Sequence, residues 1–247
     1  MNITVLGGSG AWPTPRQACS GYLAESDGFL LLIDPGYASL PRLLEHAAAS
    51  AVDAVLVSHG HPDHCADLNP LLRARALSED PPGPLPVHAL PGAVGAVLAL
   101  DAPGTLAGSY VLRNFTAPGR FSIGPFDVGS WMLPHFVPNA GLRLTAGGTV
   151  LAYTGDTGPS PDIVTLARDA DLLLAEATYP HVVPAASAAY LSSAAAAGQY
   201  AAQAGAGRLL LTHLWPGTDP ATATRAAAES FDGPTEVALP GLAIGLS

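Results

Sequence analysis

The chain has 247 residues, 49 % hydrophobic and only 12 % charged, which is too apolar for a disordered chain and long enough to bury a sizeable core. No run approaches the roughly 18–20 continuous apolar residues of a membrane helix, and Met1–Val5 carries neither a basic segment nor a small-residue cleavage site, so membrane and secreted readings are set aside. Ten basic against 20 acidic residues give a net charge of −10, and all ten basic residues are Arg; a chain without Lys has little to neutralise a phosphate backbone, so a nucleic-acid polymer is not the expected partner. In chain order, Ile3–Leu6 reads as a short strand broken by Gly7, Gly8 and Gly10. Gly21–Glu25 and Phe29–Ile33 read as a hairpin closed by Ser26, Asp27 and Gly28. Ser39–Ala49 reads as a helix with Pro41 in its first turn, Val52–Val57 as a buried strand, and Cys65–Leu77 as a helix.

The proline-rich stretch Glu79–Pro86 is a loop, Val87–Leu90 a strand and Ala93–Leu100 a helix. A run of strands follows at Tyr110–Phe115, Phe126–Leu133, Leu142–Thr145 and Val150–Tyr153. Helices Pro161–Arg168, Leu191–Ala204 and Pro220–Ser230 then alternate with strands Leu172–Ala175, Leu209–Leu211 and Glu236–Leu239. This alternation predicts an α/β protein with sheets covered by helices. No linker or repeat divides the chain, so one domain over 1–247 is expected. Cys19 and Cys65 are two lone thiols, which predict a reducing, cytoplasmic compartment and no disulfide framework.

The chemistry concentrates in Ser58-His59-Gly60-His61-Pro62-Asp63-His64, where the strand Val52–Val57 ends. Imidazole and carboxylate are the donors of Zn, Mn or Fe sites, and alternate residues of an extended segment point to one side. Three further candidates each follow an apolar strand and precede a break: His135, Asp156 and His213. Side chains at the ends of separate strands can converge on one cleft. His46 and His88 read as structural, and Cys65 as a small buried hydrophobe. Gly7–Gly10 lacks the spacing of a dinucleotide loop. Trp12, Trp131 and Trp215 read as packing residues, with Trp215 the best placed to stack on a flat group.

Taken together, the HxHxDH turn and the later His, Asp and His resemble the metallo-β-lactamase superfamily in ligand order. The resemblance implies an αββα sandwich with two mixed sheets and a dinuclear metal site at one edge. It assigns His59, His61 and His135 to one metal, Asp63, His64 and His213 to a second, and Asp156 to both. Two divalent ions are implied, with Zn expected and Mn or Fe tolerated by the same donors.

The segment Leu6–Ser20, and Glu176-Ala177-Thr178, resemble signatures of the tRNase Z-like branch. Within that branch the chain looks closest to small bacterial phosphodiesterases acting on cyclic nucleotides. The implied activity is attack of metal-activated water on a small phosphodiester, with a homodimer as the implied assembly. Lactone or thioester hydrolysis is the alternative, and tRNA 3′-processing a weaker one, since no long Lys-rich arm is present. The branch carries a His where this chain has Tyr190. Four residues are therefore catalytic candidates: Asp63 to orient water, Glu176 to hold a proton, and Tyr190 or His181 to replace the missing His as donor.

Overall fold

Two-residue alternation builds both sheets. The structure, a computed structural model, describes residues 1–247. In β1 (Asn2–Ser9), Ile3 and Val5 point to one buried layer and Leu6 to another. A two-residue β2 (Ala18–Cys19) lies beside β1, followed by β3 (Gly21–Ser26) and β4 (Phe29–Ile33). Asp27 and Gly28, both at positive φ, close the β3–β4 hairpin as the turn residues predict. Next come β5 (Ala54–Val57), β6 (Leu85–Ala89) and β7 (Tyr110–Asn114). The second sheet takes β8 (Gly119–Ile123), β9 (Phe126–Leu133), β10 (Asn139–Ala146), β11 (Thr149–Tyr153), β12 (Leu172–Glu176), β13 (Leu209–Thr212) and β14 (Thr235–Val237). The last strand, β15 (Ala243–Gly245), returns to pair antiparallel with β1.

The first sheet runs β15-β1-β3-β4-β5-β6-β7 and the second β14-β13-β12-β11-β10-β9-β8. Each is antiparallel on one side and parallel on the other, the parallel parts being β4–β7 and β11–β14. Tyr22, Leu31, Ile33 and Leu56 of the first sheet meet Phe126, Leu142, Leu144 and Leu174 of the second in one apolar layer. Leu32, Val55, Val57 and Val87 face the opposite way, onto α1 (Ser39–Leu43), α3 (Leu68–Ala76) and α4 (Gly95–Leu98). Between α1 and α3 lies one short turn of helix, α2 (Pro62–Cys65). The outer face of the second sheet is covered by α5 (Asp162–Ala167), α6 (Ala194–Ala204) and α7 (Pro220–Ala228) through Leu173, Leu211 and a set of buried alanines. The result is the expected αββα sandwich. No helix is long and apolar enough to cross a membrane.

Several elements differ from the sequence expectation. Gly7 and Gly8 do not end β1. A Cβ on Gly7 would sit 2.2 Å from the Cys19 carbonyl oxygen, so glycine here admits β2 against the strand. The helix expected over Ser39–Ala49 stops at Leu43. The buried Arg75 guanidinium takes the carbonyls of Ala49, Ser50 and Val52 instead, which fixes a 3₁₀ turn over Ala49–Ala51. The helix expected over Cys65–Leu77 is two pieces, because the Asp67 N–H leaves the helical ladder and donates to the Pro35 carbonyl. Strands β8 and β15 carried no signal: β8 alternates Arg120 and Ser122 with its core-facing residues on an open edge, and β15 is three residues long.

Candidate metal centre

The carboxyl ends of the parallel strands of both sheets face one cleft, the usual place for a ligand site in such sheets. Asp34 follows β4, His59 follows β5, Asp156 follows β11, Glu176 ends β12 and His213 follows β13. His135, which follows the antiparallel strand β9, joins the same cleft. Pro62 starts α2 at its first position, so the chain turns sharply and brings Asp63 and His64 back beside His59 and His61.

Two donor groups result. His59, His61, His135 and Asp156 form one; Asp63, His64, Asp156 and His213 form the other. Asp156 is common to both. Its Oδ1 lies 3.2 Å from His64 Nε2, and its Oδ2 lies 3.1 Å from His213 Nε2 and 3.7 Å from both His59 Nε2 and His135 Nε2. His213 Nε2 is also 3.1 Å from Asp63 Oδ2, and His135 Nε2 is 3.0 Å from His61 Nδ1. Two donors about 2.1 Å from one tetrahedral ion lie about 3.4 Å apart, so these separations are those of ligand sets.

The hydrogen bonds around the cluster fix which ring nitrogen faces inward. Asp34, fully buried, accepts the Ser58 N–H at 2.7 Å, the Ser58 hydroxyl at 2.6 Å, the Tyr153 hydroxyl at 2.7 Å and His64 Nδ1–H at 2.8 Å. With its proton given to Asp34, Ser58 Oγ accepts His59 Nδ1–H at 3.0 Å. His135 Nδ1–H donates to the Tyr190 carbonyl at 2.9 Å. The Thr178 hydroxyl donates to Glu176 Oε1 at 2.6 Å and accepts His213 Nδ1–H at 2.9 Å. Four imidazoles therefore carry their proton on Nδ1 and turn a lone pair on Nε2 to the cleft. A carboxylate or hydroxyl behind the imidazole is the support a metal-bound His ordinarily has.

A divalent cation fits this donor set. His59 Nε2 is buried with no hydrogen-bond partner, and with its proton on Nδ1 His64 meets Asp156 Oδ1 at 3.2 Å as acceptor to acceptor, an arrangement that is unfavourable unless something else is bound there. The charges agree. Burial alone would raise Asp156, yet His213 and His64 hold it well below the usual carboxylate range. Burial would lower His64, but Asp156 and Asp34 outweigh it and hold the imidazole well above its ordinary value. His59 is pushed well below, by burial first and the neighbouring His64 second. Three non-glycine residues at positive φ serve this region: Asp34, His213, and Ala11, whose N–H donates to Asp63 Oδ2 at 2.8 Å.

The four catalytic candidates separate. Asp63 lies in the cluster. Glu176 does not face the cleft but is buried behind it, accepting the Ser192 N–H at 3.0 Å, the Thr157 N–H and the Thr178 hydroxyl. Burial, then the charge of Asp156, raises its pKa to about 7. Tyr190 reaches the site through its carbonyl, while its half-exposed ring lies 4.6 Å from that of Phe136. His181 is not brought to the cluster: it turns outward to Glu229, 3.0 Å away at the end of α7. Asp34, Ser58 and Thr178 were not singled out from the sequence. Asp34 had the same signal as Asp156, a carboxylate soon after an apolar strand and before a break, and the sequence alone offered nothing to mark it as part of the site.

A sandwich of this topology, with His and Asp donors gathered at its strand ends, defines a metal-dependent hydrolase of the metallo-β-lactamase fold. The chain belongs to the beta-lactamase superfamily domain family, whose profile matches residues 30–214. Its relatives include a metallo-hydrolase and ribonuclease Z proteins. "Probable metallo-hydrolase YhfI" of Bacillus subtilis is 32% identical over 217 residues, 87% of each chain. The crystal structure of YhfI superposes with a TM-score of 0.89 at 30% identity, covering 98% of both chains. Ribonuclease Z of Myxococcus xanthus is 29% identical over 308 aligned positions, covering all of this chain and 98% of its own. The uncharacterized protein Rv1339 of Mycobacterium tuberculosis is 34% identical over 243 residues, 95% of this chain and 88% of its own.

Proposed function

We propose that this protein is a phosphodiesterase for small phosphodiesters such as cyclic nucleotides, using two divalent ions, zinc in the first instance. The observation that supports the two-ion part of this reading is the position of Asp156, common to two donor groups that lie side by side; the phosphodiester part follows the resemblance in motifs. In this reading His59, His61 and His135 hold one ion, Asp63, His64 and His213 the other, and Asp156 touches both. When bound, such a pair supplies Lewis acidity and lowers the pKa of a coordinated water. The protein's own part is positional. Asp34, Ser58, Thr178 and the Tyr190 carbonyl lock the imidazoles, and Glu176 ties Thr157, next to Asp156, to the Thr178–His213 pair. Asp63, held by the Ala11 N–H, would orient a water beside the ions. Tyr190, whose carbonyl holds His135 and whose ring packs on Phe136, is the candidate for the donor role of the absent His.

A small substrate agrees with the charge distribution. Of the ten arginines, Arg42, Arg73, Arg208 and Arg225 pair with carboxylates, and Arg75 and Arg143 hold main-chain carbonyls. Few cations are left to follow a polynucleotide. The assembly we propose is a homodimer, for which the molar mass from light scattering is the test.

The decisive experiment is hydrolysis of bis(p-nitrophenyl) phosphate by the zinc- or manganese-loaded protein, with bound metal measured by mass spectrometry. The parent should turn over and hold close to two equivalents, while Asp156→Ala should lose both activity and at least one equivalent. A parent that binds metal but leaves every phosphodiester intact would move the assignment to lactones and thioesters.

A further inference from the structure

Only five aromatic residues are exposed: Trp12, Tyr37, Phe136, Tyr190 and Trp215. Four of them form two pairs, and each pair is fastened to a different side of the metal centre. Phe136 follows His135 directly, and its ring lies 5.3 Å from that imidazole. Tyr190 packs on Phe136 at 4.6 Å, and its carbonyl holds His135 Nδ1–H. This pair belongs to the His59/His61/His135 side.

The second pair belongs to the Asp63/His213 side. Trp215 is two residues beyond His213, with its main-chain N–H on the Thr178 carbonyl at 3.1 Å. Trp12 follows Ala11, whose N–H is bonded to Asp63. The two indoles meet edge to face at 5.0 Å, and Tyr179 lies parallel to Trp215 at 6.0 Å. Trp215 also borders a cavity of about 650 Å³ that contains Arg16, which has no carboxylate partner.

Two exposed aromatic pairs, each attached to a different donor residue of one metal centre, offer flat surfaces for binding on both of its sides. From this arrangement we infer that the substrate is a phosphodiester joining two planar groups, one for each aromatic pair, as in a dinucleotide. A 3′,5′-cyclic mononucleotide has one base and can occupy only one pair. The inference rests on the phosphodiesterase reading and narrows it. Stacking of a base on an aromatic side chain contributes about fivefold to a hundredfold in affinity, so two pairs give a large preference.

The test compares a 3′,5′-linked diadenosine monophosphate with 3′,5′-cyclic AMP, and bis(p-nitrophenyl) phosphate with methyl p-nitrophenyl phosphate. Loss of tryptophan fluorescence on titration serves as an equilibrium readout independent of turnover. Both two-ring diesters should show kcat/KM at least about tenfold above their one-ring counterparts. Phe136→Ala and Trp215→Ala should each raise KM for the two-ring substrate, and at most one of them should do so for the one-ring substrate. Equal kcat/KM within a pair, or equal losses in both variants on both substrates, would overturn the inference. So would a dimer of the parent that either variant converts to monomer, because the rings would then be an interface. Tight, ring-dependent binding of the dinucleotide without cleavage would uphold the two-ring site and reject the phosphodiesterase reading instead.

Discussion

Asp34 shows how a single buried side chain can organise a metal centre it need not touch. It accepts four hydrogen bonds, from two atoms of Ser58, from Tyr153 and from His64, all while fully buried. Asp34→Asn keeps the volume but turns one acceptor into a donor facing donors. Loss of such support behind a metal-bound His reduces metal affinity or activity by about 10- to 100-fold, and we expect that loss in a competitive zinc titration. Unchanged affinity would show that the ring orientation is set by packing alone. A second expectation concerns Cys19. Burial, then the charge of Asp63, pushes its thiol up to about 12, so at pH 8 about one molecule in ten thousand carries the thiolate. The native protein should therefore resist alkylation at pH 8 and react only when unfolded or when the pH is raised toward 12.

Strand ends, rather than strands, carry the chemistry, and they also divide what could be read in advance from what could not. The donors were legible because each stands directly after an apolar run, and because His59, His61, Asp63 and His64 crowd one turn. The hairpin β3–β4 was legible from Asp27-Gly28. What was not legible depended on partners distant in sequence. Arg75 fixes the 3₁₀ turn at Ala49–Ala51 from another helix, Pro35 breaks the helix at Asp67, and Glu176 is a buried anchor rather than a cleft residue because Thr157 and Ser192 lie across it. Glycines were misread for the same reason: their role is what lies against them. Gly10 is the case to test. A Cβ there would stand 2.8 Å from the His213 imidazole and 2.9 Å from its carbonyl oxygen. Gly10→Ala should displace His213, destabilise by about 1–3 kcal/mol as overpacking does, and release metal from the Asp63/His64/His213 group. Leu174→Ala, in the layer between the sheets, should cost about 2–5 kcal/mol in urea unfolding yet leave metal content unchanged. If both variants keep the full metal content, the strand-end geometry is more forgiving than these distances imply.

Across the whole molecule, the metal centre joins two sheets that otherwise meet through an apolar layer and a few buried hydrogen bonds, among them Tyr153–Asp34 and Tyr22–Thr212. His59, Asp63 and His64 come from the first sheet and its following turn, His135, Asp156 and His213 from the second. An ion held by donors of both sheets crosslinks the folded state and has no such site in the unfolded chain. At free metal about 100-fold above the dissociation constant, one site adds about 2.7 kcal/mol. For a chain of this size each kcal/mol moves Tm by about 2–4 °C, so two filled sites should raise it by about 10–20 °C. Chelation should reverse that rise, and re-addition of zinc should restore it. Asp156→Ala should lack most of the metal-dependent increment, since the side chain belongs to both donor groups. Leu174→Ala should instead start from a lower Tm and gain the same increment on metal loading, because packing between the sheets and ligation at their ends are separate terms. A parent whose Tm is indifferent to both chelator and zinc would show that the sandwich is held by its own packing and hydrogen bonds, and that metal does not stabilise the fold.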